Sequence, residues 1–117
     1  MAENDCLFCR IVRRELPVSI VTETEDSLAF RDINPQAPLH VLVIPKRHVA
    51  TLDAADGDDD ALMLGRLSLL AARIARDAGV ADGGYRTVMN TNADSGQTVF
   101  HVHLHVLGGR RMGWPPG

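Results

Sequence analysis

From His101 to Val106 the chain reads His-Val-His-Leu-His-Val, a strict alternation that suits an extended strand far better than a helix. Successive side chains on a strand point to opposite faces, so three imidazoles share one face and Val102, Leu104 and Val106 the other. One face belongs to a core and the other to chemistry. These are three of only five histidines in 117 residues, a clustering that an ordinary surface strand does not show. At a rise of about 3.3 Å per residue, His101 and His105 lie roughly 13 Å apart along the backbone, too far for three rings to ligate one ion easily. The spacing predicts separate tasks for the three rings.

The rest of the chain supplies one domain around that strand. A length of 117 residues is one domain's worth, so residues 1–117 are read as a single unit. Hydrophobic residues make up 45% and charged residues 23%, the proportions of a globular chain with a modest core. The net charge of -3, with scattered basic residues, disfavours binding to duplex nucleic acid. No apolar run approaches the roughly 20 residues that span a bilayer, and the polar start from Met1 to Asp5 is unlike a secretory signal. A soluble, cytoplasmic protein without a membrane partner is expected. Two cysteines, Cys6 and Cys9, are too few for a disulfide framework.

Asp5 can cap a short helix from about Leu7 to Arg14, with Leu7, Phe8, Ile11 and Val12 on one stripe and Pro17 as its stop. Ser19 to Thr22 and Leu28 to Arg31 are strand-like runs around the polar turn Glu25-Asp26-Ser27. A proline-marked loop, Asn34 to Pro38, leads to a buried strand from His40 to Ile44. The acidic run Asp56 to Asp60 precedes the longest helix, Ala61 to Ala78, whose apolar face is wide enough to suggest a subunit contact. Tyr85 to Asn90 and Val99 to Leu107 are the last two strands, and the tail Gly108 to Gly117 is loop-like. Together they make an α+β domain on an antiparallel sheet.

Between the last two strands lies Asp94-Ser95-Gly96-Gln97-Thr98, whose backbone amides and hydroxyls can form a nest for anionic oxygens beside the imidazole face. A histidine nucleophile facing such a nest implies attack at phosphorus. Cys6-Leu7-Phe8-Cys9 has the spacing of half a tetrahedral zinc site, although a redox pair or two unbonded thiols fits that spacing equally well.

At His101 to Leu107 the sequence resembles the histidine triad (HIT) family of nucleotide hydrolases and transferases. It is most similar to the histidine triad nucleotide-binding (Hint) branch of zinc-binding bacterial type. The likeness continues through Asp32-Ile33-Asn34-Pro35-Gln36-Ala37-Pro38, His40 to His48, and the tail from Gly108 to Trp114-Pro115-Pro116-Gly117. It departs at Asn34, where Ser is frequent, and at Gly113, neither of which touches the histidines.

The resemblance implies a five-stranded antiparallel sheet with two main helices, extended across a homodimer. It implies hydrolysis of purine nucleoside 5'-phosphoramidates, of the adenosine 5'-monophosphoramidate or aminoacyl-adenylate type, through a nucleotidyl-histidine intermediate. By similarity His103 is the nucleophile, His105, Gly96 and Thr98 contact phosphate, and His40 orients from behind. Asn90 and Gln97 match positions near ribose and phosphate, Asp32 accepts the ribose hydroxyls, and Leu7, Phe8, Ile11, Phe30 and Ile33 form the base pocket. One structural zinc would be held by Cys6, Cys9, His48 and His101, and no organic cofactor is implied. The tail 108–117 would border the active site of the second subunit. The competing functions are a dinucleoside polyphosphate hydrolase, a nucleotide-binding regulatory protein with residual catalysis, and a module that only binds metal.

Overall fold

A computed structural model describes residues 5–117. The opening residues Met1 to Asn4, read above as unlike a secretory signal, lie outside them. The elements run α1 (Leu7–Val12), β1 (Ile20–Glu23), β2 (Ser27–Arg31), β3 (Leu39–Pro45), α2 (Gly57–Asp77), β4 (Tyr85–Val88) and β5 (Leu104–Gly108). The strands form one antiparallel sheet in the order β1-β2-β3-β5-β4, as the resemblance implied.

β3 is buried along its whole length, and the pleat sorts its side chains between two cores. Val41 and Val43, with Ala29, Leu104 and Val106, pack against Leu67, Leu70, Ala71, Ile74 and Ala75 of α2. Leu42 and Ile44, with Leu28 and Phe30, pack against Phe8, Cys9 and Ile11 of α1. Each helix covers one face, so the period of two along β3 and β5 decides what meets what. The register pairs Leu42 with His105 and His40 with Leu107, which puts His40 and His105 on the α1 face as diagonal neighbours.

Most boundaries move by a residue or two from the sequence reading, and four differences have a clear local reason. The N-cap of α1 is Cys6 rather than Asp5, because the Cys6 thiolate or thiol sulfur accepts the Cys9 N–H at 3.4 Å. That helix ends at Val12, since Arg14 takes a left-handed conformation (φ 62°). The long helix begins at Gly57, so Asp58, Asp59 and Asp60 form its first turn, where carboxylates oppose the positive end of the helix dipole. The last ladder begins at Leu104 rather than Val99: Val102 N–H is drawn to the Val49 carbonyl at 2.7 Å, outside the sheet. Among the described residues, no helix is long and apolar enough to cross a membrane.

Candidate active site and metal centre

The three imidazoles divide into two sites, and the partners of each ring nitrogen fix the division. His101 is fully buried, and its Nε2 lies 2.8 Å from the Pro45 carbonyl. A carbonyl only accepts, so Nε2 carries the proton and Nδ1 presents a lone pair. That Nδ1 lies 3.4 Å from Cys6 Sγ, 3.5 Å from Cys9 Sγ and 3.3 Å from His48 Nδ1. Cys9 Sγ is 3.3 Å from His48 Nδ1, and all four donor atoms lie within 4.8 Å of one another.

These separations are the edges of a tetrahedron. An ion with bonds of roughly 2.0 Å to nitrogen and 2.3 Å to sulfur sets N···N and N···S edges at about 3.3 and 3.5 Å. The Pro45 carbonyl supplies the outer hydrogen bond that orients a ligating imidazole. Cys6, Cys9, His48 and His101 can therefore hold a metal ion, and burial helps by pushing the His101 pKa down to about 4, which keeps the ring neutral.

His103 is oriented by its own neighbour's backbone: Nδ1 lies 2.8 Å from the His101 carbonyl. Nδ1 must donate, which leaves Nε2 unprotonated. Burial lowers the His103 pKa against the opposing pull of the carbonyl and of Asp32, so the neutral ring is favoured. Phe8 packs edge-on against this ring, with centroids 5.1 Å apart.

His40 and His105 form a directed chain. The Gln36 N–H donates to His40 Nδ1 at 3.0 Å, so the neutral His40 ring carries its proton on Nε2. That Nε2 donates to His105 Nδ1 at 2.9 Å, with Asp32 Oδ2 at 3.5 Å as a secondary acceptor. His105 in turn carries its proton on Nε2. Burial, with His103 and His40 nearby, lowers the His105 pKa to about 4, and burial lowers that of His40 too. Asp32, His40 and His105 are close enough to suggest a second metal site. The Gln36 N–H argues against it, because a ligating His40 Nε2 would need its proton on Nδ1, facing a donor. This trio is a proton-bearing chain.

Beside the rings lies an apolar cavity of about 310 Å³, near the lower end of the roughly 300–1,000 Å³ range of small-molecule sites. Leu7, Phe8, Ile11, Phe30 and Ile33 line it, and Asp32 lies at its edge. Ile33 is 96% exposed and forms the lip. Leu16, Val18 and Leu42 also line it and were not singled out in the sequence. Leu42 was the most legible of these, two residues along β3 from His40 and therefore on the same face.

On the other flank Asn92 and Gly96 take left-handed conformations (φ 66° and 92°) around a 3-10 turn over Ala93–Ser95. A Cβ on Gly96 would meet nothing within 4 Å, so the turn rather than crowding requires glycine there. Thr98 is exposed at the end of this loop, and Asn90 is half-buried. Gln97 faces inward, only 6% exposed. Its Oε1 accepts the Asn92 N–H at 2.7 Å, and its Nε2 donates to the Ala50 and Val99 carbonyls at 3.0 and 3.1 Å. Its side chain braces the loop from behind, a task its position in the sequence did not suggest.

Comparison with known proteins agrees with this geometry. The chain is 55% identical over 117 residues to a HIT-like protein of Synechocystis sp., with all of both chains covered. It is 46% identical over 113 residues to the purine nucleoside phosphoramidase of Escherichia coli K12, covering 97% of this chain and 93% of that one. A HIT family hydrolase of Legionella pneumophila superposes with a TM-score of 0.93 at 50% identity, covering 97% of this chain and 100% of that one. The HIT domain profile matches residues 13–112, from just after α1 to the middle of the tail. With its alternating histidines, five-stranded sheet and these relatives, the chain belongs to the HIT domain family.

Proposed function

We propose that the protein is a hydrolase of purine nucleoside 5'-phosphoramidates that works through a nucleotidyl-His103 intermediate. The observation that carries this reading is the 2.8 Å contact from His103 Nδ1 to the His101 carbonyl, which leaves Nε2 free to attack. The relative named a purine nucleoside phosphoramidase supports the substrate class.

The purine fills the apolar cavity by burial, and Asp32 at its rim receives the ribose hydroxyls, a task suited to a two-oxygen acceptor. Asp32 Oδ1 is held by the Asn34 N–H at 2.8 Å, which fixes the carboxylate's rotamer. Gly96, Thr98 and Asn90 flank the phosphate, with Gln97 shaping that loop. His103 Nε2 forms a bond to the α-phosphorus as the P–N bond breaks. The departing amine takes up a proton from solvent, while the His105 Nε2–H donates a hydrogen bond to the nitrogen as charge builds on it. Water then cleaves the phosphorus–His103 bond, giving a nucleoside monophosphate and a proton. The His40–His105 chain keeps a donor aimed at the oxygens and nitrogen where charge builds up.

The metal centre is a zinc site that ties α1 to the segment before β5, since its Cys2His2 donors suit that ion. Zinc supplies cross-linking there and leaves His103 to do the chemistry. Reduced thiols accord with a cytoplasmic protein. A homodimer is supported by β4 as a sheet edge that calls for a partner strand, and by Trp114, which is 83% exposed and needs cover. In that assembly the tail 108–117 reaches the partner's site.

The test is a substrate panel on purified protein: adenosine and guanosine 5'-phosphoramidates, an aminoacyl-adenylate analogue and a dinucleoside polyphosphate. Release of AMP or GMP from the phosphoramidates well above that from the dinucleotide supports the reading. Preference for the dinucleotide, or no turnover of any, contradicts it.

A further inference from the structure

We propose that Phe8 is a positioning residue that couples the metal centre to the nucleophile, so that metal occupancy and purine nucleotide affinity raise each other. Phe8 stands on one helical turn between two metal ligands, Cys6 and Cys9. Its ring packs edge-on against both a ligand and the nucleophile, with centroids 5.9 Å from His101 and 5.1 Å from His103. The same ring meets Phe30 at 5.6 Å and lines the apolar cavity.

α1 has only six residues, far below the roughly 12–15 at which an isolated helix becomes even marginally stable, so tertiary ties must hold it. Two kinds are present: the packing of Phe8, Cys9 and Ile11 onto the sheet, and the ligand cluster joining Cys6 and Cys9 to His48 and His101. An ion in that cluster clamps both sides of the Phe8–His103 contact. It fixes the turn carrying Phe8, and it fixes His101, whose carbonyl sets the His103 tautomer. Without the ion, the turn keeps its packing and the Cys6 cap, and the His101 carbonyl keeps the hydrogen bonds of its neighbourhood, from His101 Nε2 to the Pro45 carbonyl and from the Val102 N–H to the Val49 carbonyl, but nothing ties the two together beyond packing contacts.

A site more ordered by one ligand binds the other more tightly, and the coupling is reciprocal by linkage. The nucleotide half of this proposal rests on reading the cavity as the base pocket. Zinc loading should therefore tighten AMP binding by about tenfold, within the roughly 5–150-fold span of such couplings, and AMP should raise zinc affinity by the same factor.

The experiment measures AMP affinity by calorimetry on zinc-loaded and chelator-stripped protein, and zinc affinity by chelator competition with and without AMP. Circular dichroism checks that the stripped protein keeps its fold. Phe8→Leu keeps an apolar side chain between the cysteines and removes the ring contacts. It should retain one zinc per chain while both ratios fall toward one. Ile11→Ala, which opens the cavity and keeps the Phe8 ring contacts, should weaken AMP binding while leaving the ratios near the wild-type value. Equal AMP affinity in loaded and stripped wild-type protein overturns the coupling, and unchanged ratios in Phe8→Leu overturn the role of Phe8. Failure of AMP to bind zinc-loaded wild type removes the nucleotide reading itself, and the coupling with it.

Discussion

Replacing Gln97 by alanine separates a brace from a ligand contact. The Gln97 amide spends Oε1 and both Nε2 hydrogens on three backbone groups, at residues 92, 50 and 99, in a buried position. A net 0.5–1.5 kcal/mol per hydrogen bond puts the cost of Gln97→Ala at about 3 kcal/mol. That is a large share of the roughly 6–17 kcal/mol expected for a domain of this length. Gln97→Glu has nearly the same volume but replaces the NH2 group and its two donors with a single charged oxygen facing both the Ala50 and Val99 carbonyls, so it should cost more than alanine. Urea unfolding followed by far-ultraviolet circular dichroism measures both. Both variants should also bind AMP more weakly, because the loop over Ala93–Ser95 loses its anchor. Stability within about 0.5 kcal/mol of wild type, together with a tenfold loss of AMP affinity, would refute the brace and return the amide to the ligand.

Three further outcomes follow from the site. His40→Leu removes the donor to His105 Nδ1 and should lower kcat by about 10²-fold with a smaller change in KM, read from steady-state kinetics. His105 has its pKa lowered to about 4 in the native protein against roughly 6.5 in the unfolded chain. Its contribution to stability is thus fully present above pH 6.5 and is lost as pH falls from there to about 4. Unfolding free energies across that window should decline, and less steeply in His105→Gln. Truncation after Arg111 removes the exposed Trp114 and little core, so it should change leaving-group preference in the phosphoramidate panel more than it changes the unfolding midpoint.

Much of the architecture was legible because burial imposes its period directly. Val102, Leu104 and Val106 alternate with the histidines since one face meets α2 and the other meets α1, and no other register satisfies both. The metal set was open on residues alone, since a Cys-x-x-Cys spacing cannot specify which distant histidines complete it. The fold brings His48 and His101 to the same point from two loops. What sequence could not show is where polar groups compete for backbone partners. The sulfur cap on α1, the pull of the Val49 carbonyl on Val102 and the inward turn of Gln97 are each decided by partners 2 to 53 positions away. Ring tautomers belong to the same class, because the Pro45 carbonyl, the His101 carbonyl and the Gln36 N–H assign the protons of His101, His103 and His40.

The central claim is that His103 Nε2 attacks phosphorus, and a rapid-quench experiment tests it most directly. Protein mixed with an excess of adenosine 5'-phosphoramidate, quenched in the first turnover and analysed by intact and peptide mass spectrometry, should carry one nucleotidyl group on His103. His103→Ala should carry none and should lose turnover while retaining most of its affinity for AMP, because binding is spread over the cavity, Asp32 and the 92–98 loop. Turnover at near-wild-type rates in His103→Ala, or a nucleotidyl group on another residue, would contradict the account.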